Sequence, residues 1–313
     1  MSLRPWQSAW QDALYGEQGF FLRHRPRDHF RTAVAIPAYA VAIRRLAGLV
    51  DEALGRPDPF DVVDVGSGRG ELLAGLGDVP ARWRLTGVDL ADAGRPAPPI
   101  RWAAAVPECT GLLVANEWLD DVPLPVLRDG RLVEVDATGT ERLGGPAEPA
   151  DLAWARRWWP GPGRVEVGLP RDRAWAAAVS RLRRGLAVAM DYGHLRSDRR
   201  PTLTGYRDGR QVAPLPDGGC DLTAHVALDS CAAASGSRLL RQREALLALG
   251  VDPVGPSPAG ASTDPAGYLD ALQAASQAAS LLDRDGLGGF GWLVRAEGIR
   301  DPLLMVRGAT IAG

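Results

Sequence analysis

Apolar residues recur at helical spacing from Tyr39 to Leu54, which predicts an amphipathic helix. Gly55-Arg56-Pro57-Asp58-Pro59 ends it. The β-branched apolar run Val62-Val63-Asp64-Val65 then reads as a buried strand. It meets a glycine-rich turn, Gly66-Ser67-Gly68-Arg69-Gly70, and the helical pattern opened by Glu71-Leu72-Leu73. Arg84 to Leu90 gives a second strand, and Leu112 to Ala115 a short buried one leading into Asn116-Glu117-Trp118-Leu119-Asp120-Asp121-Val122-Pro123. Pro96 to Pro99 reads as a rigid loop between them.

The pattern then changes. Val126 to Val135 alternates around Asp129-Gly130, a hairpin signal, with a linker at Gly144 to Pro149. Helices are expected over Asp151 to Trp159, Ala174 to Arg184, Ser237 to Leu249 and Pro265 to Asp283. A buried strand is expected at Leu186 to Met190, a turn at Asp208-Gly209, and a late strand from Gly288 to Val294. Trp154, Trp158 and Trp159 share a helical spacing that suits packing. Strands alternating with helices predict an α/β fold: a Rossmann sheet like that of class I methyltransferases, with an N-terminal helical region and inserted, lid-forming elements. The expected division is a helical region over 1–55 and a cofactor-binding domain over 56–313. The latter carries an insert at about 124–165 and substrate-side elements at about 194–285.

At 313 residues and 46% hydrophobic, the chain is long enough for a sizeable core. Its net charge of −2 and lack of a basic run give no sign of nucleic-acid binding. There is no lysine, so lysine-based catalysis is excluded. Cys109, Cys220 and Cys231 form no C-x-x-C pair, and no histidine stands at metal-ligand spacing; reduced structural thiols in a cytoplasmic protein are expected, and no metal. No apolar run reaches the roughly 20 residues of a membrane span, and no signal-peptide pattern is visible.

The glycine turn carries the chemistry. A dinucleotide fingerprint is G-x-G-x-x-G, but here the third glycine comes one position early and Glu71 occupies the expected place. Asp64, two residues before the first glycine, faces a pyrophosphate poorly and suits a ligand with an ammonium and a sulfonium. Asp89 lies 25 positions after Asp64, where a βαβ unit sets the ends of its two strands side by side; an acid there can bind both ribose hydroxyls of an adenosine. The pattern D-x-G-x-G-x-G resembles the first motif of class I S-adenosylmethionine methyltransferases. The cofactor candidates are Asp64, Gly66, Ser67, Gly68, Gly70, Asp89, Leu90 and Asn116.

Further motifs extend the resemblance. Asn116 to Pro123 resembles N-E-F-F-D-A-L-P, Asp191-Tyr192-Gly193 matches D-Y-G, and Asp221-Leu222-Thr223-Ala224-His225-Val226 matches D-[IL]-T-A-H-V. Asp28-His29-Phe30-Arg31-Thr32 echoes G-D-F-x-T. In this order they resemble the MidA family of S-adenosylmethionine-dependent methyltransferases, whose mitochondrial members act in respiratory complex I assembly by methylating an arginine of a protein subunit. The chain departs at Trp118 and Leu119, where the family has aromatics, and at Asp121, where it has a small residue.

The resemblance implies a protein substrate with arginine as acceptor. A cationic guanidinium needs carboxylates to hold it and steer charge from the attacking nitrogen. Glu117, Asp120, Asp191 and His225 are the catalytic candidates, with Tyr192 as an aromatic wall; Asn116 and Asp120 equally suit a helix cap. Trp102 suits core packing better than an adenine platform. A small-molecule methyltransferase and a cofactor-binding assembly factor remain open beside the arginine methyltransferase, whereas the glycine spacing disfavours a nicotinamide oxidoreductase.

Overall fold

The computed structural model describes residues 2–24, 32–90 and 99–305. Its centre is a seven-stranded sheet built from β1 (Phe60–Val65), β2 (Trp83–Val88), β3 (Arg101–Ala103), β4 (Cys109–Asn116), β5 (Leu182–Asp191), β6 (Arg238–Arg241) and β7 (Gly291–Glu297). The strand order is β3-β2-β1-β4-β5-β7-β6. Neighbours from β3 to β5 run parallel, whereas β7 runs antiparallel to both β5 and β6. This is the α/β, Rossmann-like sheet expected from the alternating pattern. The reversed β7, wedged between β5 and β6, distinguishes it from the all-parallel dinucleotide-binding order.

All six residues of β1 are buried, as a central parallel strand requires. Its side chains alternate between two cores. Phe60 and Val62 pack with Leu112, Val114, Leu186, Val188 and Trp292 under helices Pro37–Ala53 and Pro265–Leu281. Val63 and Val65 pack with Leu113, Ala115, Ala187, Trp175 and Leu293 under helices Leu169–Val179 and Leu228–Ser235. Each such aliphatic side chain contributes about 1.5–3 kcal/mol on burial.

The first 55 residues share their packing between two places. Ala33 to Val50 join the first core, whereas helix Trp6–Tyr15 packs on the inserted hairpin through Val126, Val133 and Val135. Trp10 there donates to the carbonyl of Leu222 at 3.0 Å. The stretch expected as an insert forms a small antiparallel sheet of Val126–Arg128, Arg131–Val135, Glu141–Pro146 and Arg164–Glu166, joined by Arg4–Pro5 from the N-terminal region. Trp154 and Trp159 fill a core on it, as their spacing suggests.

Three expectations are corrected. The helix expected over Ala174 to Arg184 lies earlier, at Leu169–Val179, because Pro170 starts it; Leu182 already pairs with Cys109 in the sheet. The stretch from Ser237 begins as a strand, not a helix: Leu239 and Leu240 pair with Leu293 and Trp292, and the helix is confined to Gln242–Ala248. The Gly144 linker belongs to strand Glu141–Pro146, held by Arg131–Val135. Most of the Pro96–Pro99 loop and of the Asp28–Thr32 echo lies outside the described residues.

Candidate active site

Strand order reverses between β1 and β4, and the loops after their C-terminal ends diverge to leave a crevice. A cavity of about 580 Å³ opens there, lined by the turn after β1, Asp89 and Leu90 after β2, and the loop from Asn116 to Asp121 after β4. Tyr15, Phe21, His24, Thr32, Val34 and Ala35 from the N-terminal region close its other side.

The turn needs its glycines. Gly66, Gly68 and Gly70 all have positive φ, at 72°, 56° and 82°. A Cβ on Gly66 would come within 2.7 Å of Trp118, so the indole closes over the turn where a side chain would stand. All five N–H groups of the turn are engaged within the protein. Those of Gly66 and Ser67 donate to the carbonyl of Val88, that of Gly70 to Ser67, that of Gly68 to Asp89 at 2.8 Å, and that of Arg69 to Glu71 at 2.9 Å. Ser67 donates its hydroxyl to Asp64 at 2.7 Å. Asp64 is 2% exposed, and burial pushes its carboxyl up to about 7 against that hydrogen bond. A cationic group beside it restores the charge. Leu90, in contrast, is 70% exposed at the rim.

In the loop after β4, Glu117 holds a positive φ of 47°, which turns it out of the strand direction and into the cavity. One of its carboxylate oxygens accepts from the backbone N–H of Ala33 and from the amide of Asn116, each at 3.0 Å. Burial lifts its carboxyl to about 7, against these two hydrogen bonds. Asn116 in turn accepts from the hydroxyl of Tyr39. Asp120 takes hydrogen bonds from Tyr192 and, at 2.8 Å, from Thr223 through one oxygen; the other oxygen is buried with no partner among the described residues, as is one oxygen of Asp121. Burial first, and then mutual repulsion for Asp121, raise these carboxyls.

The cavity lining thus includes Glu117, Asp120 and every residue expected to bind cofactor except Gly70, whose Cβ position faces Ile100 and Trp102 instead. Asp191 and His225 do not line it. Asp191 lies behind the loop and accepts the backbone N–H groups of Leu119, at 2.9 Å, and Asp120, at 3.2 Å. Through that one oxygen it holds the loop's shape; the other is buried with no partner among the described residues. His225 lies edge-on to Tyr192 at 5.4 Å, with its pKa lowered by burial and by Arg200 and Arg171. Tyr192, expected as an aromatic wall, does not line the cavity either; it lies behind Asp120, to which its hydroxyl donates.

Arg171 was not legible among the many arginines. It is fully buried and donates to the carbonyls of Val122 at 3.0 Å, Ala224 at 2.7 Å, His225 at 3.1 Å, and Asp120. It ties the loop after β4 to the Asp221–Val226 segment and lowers the carboxyls of Asp120, Asp121 and Asp191 against their burial. Tyr15 was equally hidden; its hydroxyl donates to the carbonyl of Asp121 at 3.3 Å.

Residues 90–241 match a family profile described as "Putative S-adenosyl-L-methionine-dependent methyltransferase". That match begins after the glycine turn and Asp89, so it is independent of them. A solved structure from Burkholderia thailandensis, titled a "likely methyl transferase" and bound to S-adenosyl-homocysteine, superposes with a TM-score of 0.77 at 22% identity, covering 99% of this chain and 92% of that one. A native structure of an uncharacterized protein of the same superfamily, also from Burkholderia thailandensis, gives 0.77 at 23% identity, covering 99% and 91%. The fold is that of these proteins. No curated protein matches the chain in sequence. Among the described residues no helix is long and apolar enough to cross a membrane, and no His, Cys, Asp and Glu cluster is arranged for a metal.

Proposed function

We propose that the protein is an S-adenosylmethionine-dependent methyltransferase that acts on a cationic nitrogen, an arginine of a partner protein. The cavity's carboxyl groups carry this reading: Asp64, Glu71, Asp89, Glu117, Asp120 and Asp121 line it, against Arg69 as the one arginine among the described lining residues. Burial raises four of these carboxyls, and an entering cation favours their charged form. Such a surface repels phosphate and attracts cations. The cofactor fits the residues present. Asp64 faces its ammonium and Asp89 its ribose, while Gly68 lets the backbone come close.

When bound, the cofactor supplies a methyl on a sulfonium, which an acceptor nitrogen displaces in line, leaving S-adenosylhomocysteine and a released proton. Glu117 and Asp120 hold the guanidinium by charge-assisted hydrogen bonds. Glu117, poised near neutrality, suits taking up the proton. Asp191 and Arg171 fix the loop that carries both. Tyr15 and Phe21 offer aromatic faces to the cation and its apolar stem.

Calorimetry tests the cofactor assignment: S-adenosylmethionine and S-adenosylhomocysteine bind, and NAD and NADP do not. Tight NAD binding without S-adenosylmethionine binding would sink it. The acceptor is tested by incubating cell lysate with methyl-labelled S-adenosylmethionine and locating the label by mass spectrometry. A label on peptide arginine is expected, and one confined to small molecules refutes the protein acceptor. Asp89→Ala is expected to weaken S-adenosylhomocysteine by about 1–3 kcal/mol, the range for losing a charged hydrogen-bonding partner. An unchanged dissociation constant would reduce Asp89 to the brace for the Gly68 N–H.

A further inference from the structure

We propose that Arg69 binds the carboxylate at the amino-acid end of the cofactor. The inference rests on the cofactor reading above, and its geometry comes from the turn itself. In many nucleotide sites, free N–H groups at a glycine turn hold the ligand's anionic group. Here that supply is spent: the five N–H groups from Gly66 to Gly70 all donate within the protein. Glu71 follows a turn that leads into a helix of five residues, so no long helix end compensates. An anionic group entering this acidic cavity therefore needs a side-chain cation.

Arg69 is that cation. It lines the cavity between Gly68 and Gly70, half-buried, and among the described residues it makes no ion pair despite the carboxylates nearby. Its own N–H donates to Glu71, which fixes the peptide from which the guanidinium extends. A guanidinium left without a carboxylate, in a site built mostly of carboxylates, matches a ligand that brings its own. The cofactor's amino-acid end carries one ammonium and one carboxylate. Asp64 and Arg69 come from the two ends of the same turn and have the complementary charges.

Two ligands separate this role from a structural one. S-adenosylhomocysteine has the amino-acid end, whereas 5′-methylthioadenosine keeps the adenosine and thioether but lacks it. Both are titrated by calorimetry into wild type, Arg69→Ala and Arg69→Lys, with thermal unfolding recorded for each. Arg69→Ala is expected to weaken S-adenosylhomocysteine about 30-fold while leaving 5′-methylthioadenosine within about twofold, and Arg69→Lys to recover part of the loss. Equal S-adenosylhomocysteine affinity in wild type and Arg69→Ala overturns the proposal. So does an equal loss for both ligands, which would assign Arg69 to the shape of the turn. If Arg69→Ala does not fold, the same comparison is read from Arg69→Lys and Arg69→Gln, where only the Gln variant should lose the carboxylate preference. Wild type that binds neither ligand overturns the cofactor reading itself, a different outcome from selective loss in the variants.

Discussion

Glu117→Gln is expected to bind S-adenosylhomocysteine within about twofold of wild type and to transfer methyl at least about 100-fold more slowly. Gln keeps the oxygen that accepts from Ala33, so the loop and the N-terminal segment stay joined. What is lost is the charge that holds the cation and the site that takes its proton. The pH profile gives the sharper readout. Because burial lifts this carboxyl to about 7, it is protonated and neutral below that pH and charged above it. Turnover of wild type should therefore climb as pH rises from about 6 to about 8, and the Gln variant should lack that limb. The measurement is single-turnover kinetics on the acceptor found in lysate. If the charge acts in the transition state, kcat falls; if it docks substrate, KM rises. Wild-type kinetics in Glu117→Gln would remove the residue from the chemistry and turn attention to Asp120.

Gly68→Val should abolish S-adenosylhomocysteine binding, a loss of at least about 100-fold. The residue has a φ of 56°, where a β-branched side chain is strained by about 1–3 kcal/mol. Its N–H also holds Asp89, so strain at this peptide moves both cofactor contacts together. Among the described residues a Cβ here would meet only Glu71, at 3.3 Å, so the new side chain points toward the cavity rather than the core. The midpoint of thermal unfolding should thus fall by a few degrees, the size of that strain, with the variant still folded, while the calorimetric signal disappears. A folded variant with normal affinity would move the cofactor away from the turn.

The sheet was legible because its strands carry their own signal. Val62 to Val65 and Leu112 to Ala115 are apolar runs bounded by glycine and polar residues, and both lie at the sheet's centre. The reach of β5 and the existence of β6 were not, for a common reason. Arg183 and Arg184 sit on exposed positions of β5, with Arg183 reaching Glu108, and on the chain they read as a charged helix end. Leu239 and Leu240 become strand by pairing with residues more than fifty positions away, which no local window contains. The site divides likewise. Asp64, Asp89 and Glu117 could be placed because each stands at or just past the C-terminal end of a strand, and strand ends border the crevice. Asp191 obeys the same rule, yet one of its oxygens holds the backbone of the neighbouring loop, and the residue does not line the cavity. Arg171 and Tyr15 come from helices that approach from elsewhere in the chain, and nothing in their local spacing marks them.

The position of β7 has a consequence for how the chain is made. A nascent chain leaves the ribosome N-terminus first and folds as it emerges. β5 is complete at Asp191, but the strand that pairs along seven of its residues begins at Gly291. Throughout synthesis of the stretch between them, the growing sheet presents β5 as an open edge, and β6 has no partner to join because its neighbour is also β7. Trp292, fully buried in the finished core, arrives in the same late step. Any product cut short before Gly291 keeps that edge permanently, with Val188 and Met190 beside an unfilled slot. Such fragments have the makings of strand-to-strand aggregation, so premature termination late in the message should yield insoluble chains rather than a shortened enzyme.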